Sequence, residues 1–111
     1  MGFVKVCTLD DLWEGDMLPV DVDGRRILLV HLPGGEVRAT QVECPHQQGD
    51  LTEGLLDGTT LTCPVHLWEF DVQTCQGINP RHPTIASYPV KVDGDDVYVD
   101  PHGDTPKYAH S

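Results

Sequence analysis

The sequence predicts an all-β chain: an antiparallel sandwich or barrel base of two packed sheets, with a small hairpin unit inserted into it. Three observations lead there. Eleven Gly and nine Pro in 111 residues interrupt the chain too often for long helices. Between them lie short apolar–polar alternations of strand length at regular spacing. Three Asp-Gly pairs, at 23–24, 57–58 and 93–94, each stand between such runs, and Asp-Gly favours the tight turns that join antiparallel strands. The length bounds the chain at one domain, enough to bury a core and too small for two.

Taken in order, Phe3 to Cys7 alternates as a first strand. Thr8 to Trp13 reads as one helical turn ending at Gly15, with Thr8 as N-cap and acidic residues in the first turn. Trp13 is expected to be a lid on the core. Met17 to Val22 and Ile27 to His31 form a hairpin around Asp23-Gly24. His31 reads as a strand surface residue, because nothing of ligating type stands beside it. Pro33-Gly34-Gly35 turns the chain into a strand from Val37 to Val42. Residues 43–81 then form the inserted unit. Within it Leu55 to Leu61 is a hairpin around Asp57-Gly58, Phe70-Asp71 begins another strand, and Gln76 to Pro83, rich in Gly, Asn and Pro, is a loop. Ile85 to Val92 and Val97 to Val99, joined by Asp93 to Asp96, return to the base. The base thus comprises residues 1–42 and 82–100, and residues 101–111, with His102 and His110, are a tail without assigned structure.

Eighteen acidic against seven basic residues give a net charge of −11. That balance argues against nucleic acid and against anionic membrane surfaces as partners, and suits a carrier that docks on basic patches. No stretch approaches the roughly 20 apolar residues of a membrane span. Met1 to Val6 lacks the apolar segment of an export signal, and Val6 stands where N-myristoylation wants Ser or Thr. The expectation is a cytoplasmic monomer whose four cysteines form no disulfide. Cys7, in an apolar alternation, is read as a small core residue, and Cys75, in a turn-like run, as a partly exposed thiol.

The chemistry lies in Cys44-Pro45-His46 and, after sixteen intervening residues, Cys63-Pro64-Val65-His66. Thiolate and imidazole are the side chains that best bind iron and zinc. Spacings of one or two residues let a loop turn both side chains onto one metal centre. In Cys2His2 zinc fingers one element donates both cysteines and the other both histidines. Here each loop donates one of each, which suits a binuclear cluster with two thiolates on one iron and two imidazoles on the other. A structural zinc module with the same four ligands is the alternative of another class, and an iron–sulfur sensor is a third, although a DNA-binding one needs a basic element that this chain lacks. There is no Rossmann or P-loop glycine pattern and no Ser-His-Asp or Cys-His-Asn set, so the chain reads as an electron carrier and not as an enzyme.

Cys44-Pro-His46-Gln-Gln-Gly49-Asp-Leu51 and Leu61-Thr-Cys63-Pro-Val-His66 resemble the Rieske ferredoxin family, and the resemblance runs from end to end. His66-Leu67-Trp68-Glu69-Phe70, Gly77-Ile78-Asn79-Pro80, Tyr88-Pro89-Val90 and the ending Ala109-His110-Ser111 are similar to the ferredoxin component of multicomponent toluene monooxygenases. The resemblance implies a Rieske fold with one [2Fe–2S] cluster, its inner iron on Cys44 and Cys63 and its outer, valence-changing iron on His46 and His66. It implies that backbone N–H groups of Gln47 to Leu51 and Val65 to Trp68 face the cluster sulfurs, with Gly49 allowing the close approach, and that a proline-containing third loop covers the cluster, with Pro80 and Pro83 as candidates and Pro80 favoured. Transient partners would be an NADH-dependent flavoprotein reductase and a di-iron hydroxylase, docking at the histidine edge beside Gln47 and Trp68. Packing in the core is the other reading of Trp68. Asp50, Glu53 and Glu69 would set docking electrostatics. Runner-up clients are a ring-hydroxylating dioxygenase and a nitrite reductase that uses the chain as its small subunit. High-potential relatives brace their clusters with a disulfide at the positions of Gly49 and Val65 and with hydroxyls at those of Trp68 and Phe70, so a low potential is implied here.

Overall fold

A computed structural model of the chain describes residues 2–45, 49–65 and 67–108. Among the described residues eleven strands follow in order: β1 Val4–Thr8, β2 Met17–Val22, β3 Arg25–His31, β4 Val37–Gln41, β5 Leu55–Asp57, β6 Thr60–Thr62, β7 Glu69–Asp71, β8 Gln76–Asn79, β9 Ser87–Tyr88, β10 Val90–Asp93 and β11 Asp96–Val99. They form three antiparallel sheets: an outer one ordered β1-β11-β10, a middle one β2-β3-β4-β9, and an inserted one β5-β6-β7-β8. The all-β expectation holds, and the inserted unit is a four-stranded sheet where the sequence suggested little more than a hairpin. The hairpins follow the Asp-Gly signals. Asp23 and Gly24 both take positive φ (51° and 76°), which a two-residue turn between twisted strands requires.

The middle sheet carries the packing. In β3, Ile27, Leu28, Leu29 and Val30 are all fully buried. Strand side chains alternate between faces, and the two sets enter different cores. Ile27 and Leu29 pack with Cys7, Val97 and Val99 of the outer sheet. Leu28 and Val30 pack with Leu61, Phe70 and Val72 of the insert and with Cys44 and Cys63. A strand covered on both faces reads as a continuous apolar run, and each such side chain contributes about 1.5–3 kcal/mol on burial. The insert therefore sits directly on the base sheet and shares its core.

Several expectations are corrected. The turn after β1 is made of i→i−3 bonds, Asp11 N to Thr8 O (3.0 Å) and Leu12 N to Leu9 O (3.3 Å), and is not a helix. Its cap runs in reverse: the Asp11 carboxylate accepts from the Thr8 backbone N–H and hydroxyl. Leu12, fully buried, turns inward there, and Trp13 next to it is 68% exposed, so Trp13 is no core lid. Gln76 to Asn79 is a strand and not part of a loop, because it pairs with β7. The predicted Ile85–Val92 strand divides at Pro89: β9 pairs with β4 in the middle sheet and β10 with β11 in the outer sheet. Proline has no N–H to donate to a ladder, so the chain changes sheets there. Cys75 is buried at 3% exposure in the shared core, not partly exposed. Cys7 lies at the edge of the other core, as expected.

Candidate metal centre

Two loops at one end of the inserted sheet hold the predicted cysteines. The first leaves β4 through Val42 and returns at Leu51, closed by Leu51 N to Val42 O and Cys44 N to Gly49 O, both 2.7 Å. Asp50 fixes its return: its carboxylate accepts from Thr52 N (2.8 Å) and lies 3.6 Å from the Arg26 guanidinium. It therefore caps the short 3-10 turn Leu51–Glu53 as well as carrying a surface charge. The second loop leaves β6 and is closed by Cys63 N to Trp68 O (2.7 Å) and Leu67 N to Cys63 O (3.1 Å). Leu67 has φ 58°, a left-handed conformation that is costly for a branched residue and is held only where the surroundings impose it.

The loops touch at Gly49. A Cβ there would stand 2.6 Å from Val65 Cγ2 and 3.5 Å from Cys63 Sγ. Glycine is therefore what lets the first loop reach the second cysteine. Cys44 and Cys63 are each 1% exposed, in one core with Leu51, Leu61 and Phe70. His46, Gln47 and His66 lie outside the described residues. Of the backbone groups expected to face the cluster, Leu51 N–H and Leu67 N–H are engaged by protein carbonyls instead, because they close the loops.

A third segment approaches from β8. Gly77 N donates to Pro83 O at 2.9 Å, and a Cβ on Gly77 would collide with the carbonyls of Pro80 and Pro83. Pro80 is half-buried and Pro83 buried. From this segment His82 meets Trp68 edge to face, ring centroids 5.6 Å apart and planes at 76°. Trp68 is half-buried and packs on the core that contains both cysteines. Its packing role is real, and one part of the indole remains open.

Sequence reasoning passed over the apolar surface here. Val65 is 51% exposed, Leu67 68% and, on adjoining β8, Ile78 41%. The signal was present: in Leu67-Trp68 two large apolar residues stand in succession on a short loop, so one must face outward. Burial, more than any other cause, raises both Cys75 and Cys7 above the ordinary thiol range, which suppresses the reactive thiolate.

The donor set suits a thiolate-held cluster: two buried cysteines on two interlocked loops, with a glycine where a side chain would intrude. Residues 2–89 match the model of the Rieske [2Fe-2S] domain. The chain belongs to the Rieske family. Its cofactor is one [2Fe–2S] cluster. This Rieske chain is 42% identical over 98 residues to the ferredoxin component of an alkene monooxygenase system from Xanthobacter autotrophicus, covering 87% of this chain and 80% of that protein. It is 34% identical over 99 residues to the ferredoxin component of the naphthalene 1,2-dioxygenase system of Pseudomonas putida, covering 88% and 94%. Among solved structures, the ferredoxin of carbazole 1,9a-dioxygenase from Nocardioides aromaticivorans superposes with a TM-score of 0.83 at 33% identity, over 91% of this chain and 99% of that one. A complex of reduced oxygenase and oxidised ferredoxin in carbazole 1,9a-dioxygenase gives 0.83 at 28% identity, over 93% and 96%.

Proposed function

We propose that this Rieske chain carries single electrons from an NADH-dependent flavoprotein reductase to a di-iron hydroxylase of the toluene monooxygenase type. The observation that carries the reading is the pair of buried thiols, Cys44 and Cys63, on loops locked together at Gly49. Cys44 and Cys63 would hold one iron of the cluster, and His46 and His66 the other. When bound, the cluster supplies one-electron redox chemistry. Everything else falls to the chain. Burial keeps water from the thiolates, the closed loops fix their directions, and residues 43–81 form the cluster-bearing part. The chain is not itself the catalyst. Trp68, Gln47 and the exposed Val65 and Leu67 make the docking face, since aromatic and apolar anchors dominate interface energetics. One face serves both partners in turn.

The alkene monooxygenase relative supports a monooxygenase client. The naphthalene dioxygenase relative and the carbazole dioxygenase complex favour the second reading, a ferredoxin of a ring-hydroxylating dioxygenase. Likeness to a nitrite reductase small subunit, at 24% identity, bears on the fold alone. The net charge of −11 supports a monomer that meets basic docking sites, and cysteines that form no disulfide among the described residues accord with a reducing cytoplasm.

Iron and sulfide analysis with EPR of the reduced protein tests the ligand reading, and zinc without sulfide in anaerobic preparations would end it. For the client, the reduced protein is mixed with a di-iron hydroxylase or with a Rieske dioxygenase. Faster reoxidation by the hydroxylase is expected, and the reverse order establishes the second reading. Trp68→Ala should leave the cluster spectrum unchanged and slow that step.

A further inference from the structure

Gln41 is fully buried at the end of β4, and its side-chain amide uses every hydrogen-bonding position it has. Nε2 donates to Glu43 O (2.7 Å) and Lys107 O (2.9 Å). Oε1 accepts from Ala86 N and Lys107 N, both at 2.8 Å. These four backbone groups lie on three segments far apart in sequence. Glu43 immediately precedes Cys44 and bridges to Asp50 across the first loop. Ala86 is where the chain leaves the third segment for β9. Lys107 lies in the tail.

The tail is held at further points. Arg25 Nη1 donates to Asp104 O (2.6 Å), Ser87 N to Asp104 Oδ2 (3.0 Å), and Lys107 Nζ pairs with Asp104 Oδ1 (3.1 Å). Residues 104–107 thus strap across β9 towards the entrance of the first ligand loop. Of side chains this long, only a glutamine offers two donors and two acceptors at one point. Glutamate lacks the donors, and a leucine would leave buried backbone groups unpaired, which is costly.

We infer that Gln41 is a positioning residue for the cluster: its amide clamps the entrance of the first ligand loop, the exit of the third segment and the C-terminal tail into one unit. This rests on the ligand reading above. The four hydrogen bonds of the Gln41 amide all go to backbone groups, so it acts through the backbone of Glu43, as outer partners of metal ligands do.

The experiment compares loaded wild type with Gln41→Leu, with a truncation ending at Gly103, and with Val97→Ala, a substitution in the other core. Cluster absorbance is followed under chelator and compared at matched stability, set with denaturant. Gln41→Leu should lose the cluster roughly ten- to a hundredfold faster than Val97→Ala, the range in which outer partners act. The truncation should reproduce most of that loss and add little to Gln41→Leu, as expected of groups in one network. Amide exchange supplies a second readout: in Gln41→Leu the N–H groups of Cys44 and Ala86 should lose protection while that of Val99 keeps it. Equal release rates at equal stability, or unchanged Cys44 protection, would overturn the clamp. A wild type without iron and sulfide would instead defeat the ligand reading, and the exchange comparison would still decide the clamp.

Discussion

Gly49 and Val65 face each other across the two ligand loops with a gap of 3.5 Å between the valine Cβ and the place where a glycine Cβ would stand. Disulfides span Cβ separations of about 3.5–4.5 Å. The double variant Gly49→Cys/Val65→Cys should therefore close a bridge under mild oxidation, read by mass as the loss of two hydrogens. Free thiols after oxidation would mean that the loops do not approach as described. Phe70 is fully buried in the core with both cysteines, and the family resemblance implies that it takes the place of a hydroxyl found in high-potential relatives. Each donor to the reduced cluster is worth about 1–2 kcal/mol, or roughly 40–90 mV for one electron. The wild-type midpoint should lie towards the negative end of the Rieske range, roughly −150 to +300 mV. Phe70→Tyr should raise it by that step once its new hydrogen bond is formed. A redox titration checks both, and a wild-type midpoint well above 0 mV refutes the first. At this scale the cysteine pairs were legible because ligand spacing is a chemical demand written locally. Trp13 and Cys75 were not, because neighbours distant in sequence decide which side of a turn meets the core.

Pro89 and Gly77 show what strand-length patterning conveys and what it leaves out. The alternation located nearly every strand, but the transfer from the middle to the outer sheet at Pro89 depends on which partner receives each half. The third segment folds onto β8 only because Gly77 has no side chain. Gly77→Ala should cost about 1–3 kcal/mol, the usual range for overpacking, seen as a lower denaturation midpoint with unchanged slope. The tail responds to acid. Burial alone would raise the Asp104 carboxyl, but N–H groups of Ser87 and Thr105 and the Lys107 ammonium hold it below its ordinary value of 3.8. A depressed carboxylate stabilises the fold fully above that value, and the contribution is lost as pH falls through the lower folded one. The tail should thus be protected from proteolysis at neutral pH and released in acid, with Asp104→Asn already loosened at pH 7. A tail whose protection in the wild type did not change with pH would show that Asp104 does not hold it.

Across the whole molecule, charge and shared packing set behaviour. With a net charge of −11, encounter with basic partners should be steered at low salt and fall off once the screening length drops below about 10 Å. The second-order rate of electron delivery should decline by a factor of roughly ten or more from low to high ionic strength, measured by stopped flow. A flat salt profile would remove electrostatic steering from the account. The charge itself is legible in the composition, before any fold is known. The layering was not legible: β3's apolar run says that both faces are covered, but not which sheet covers each.

Since Leu28 and Val30 form the floor beneath Leu61 and Phe70, the redox unit has no complete interior of its own. Its boundary along the chain, near residues 43 and 81, is not its boundary in space. Lineages that exchange electron carriers by recombination could not move this segment alone; alternate residues of β3 would have to travel with it, or the recipient sheet would need to present the same relief.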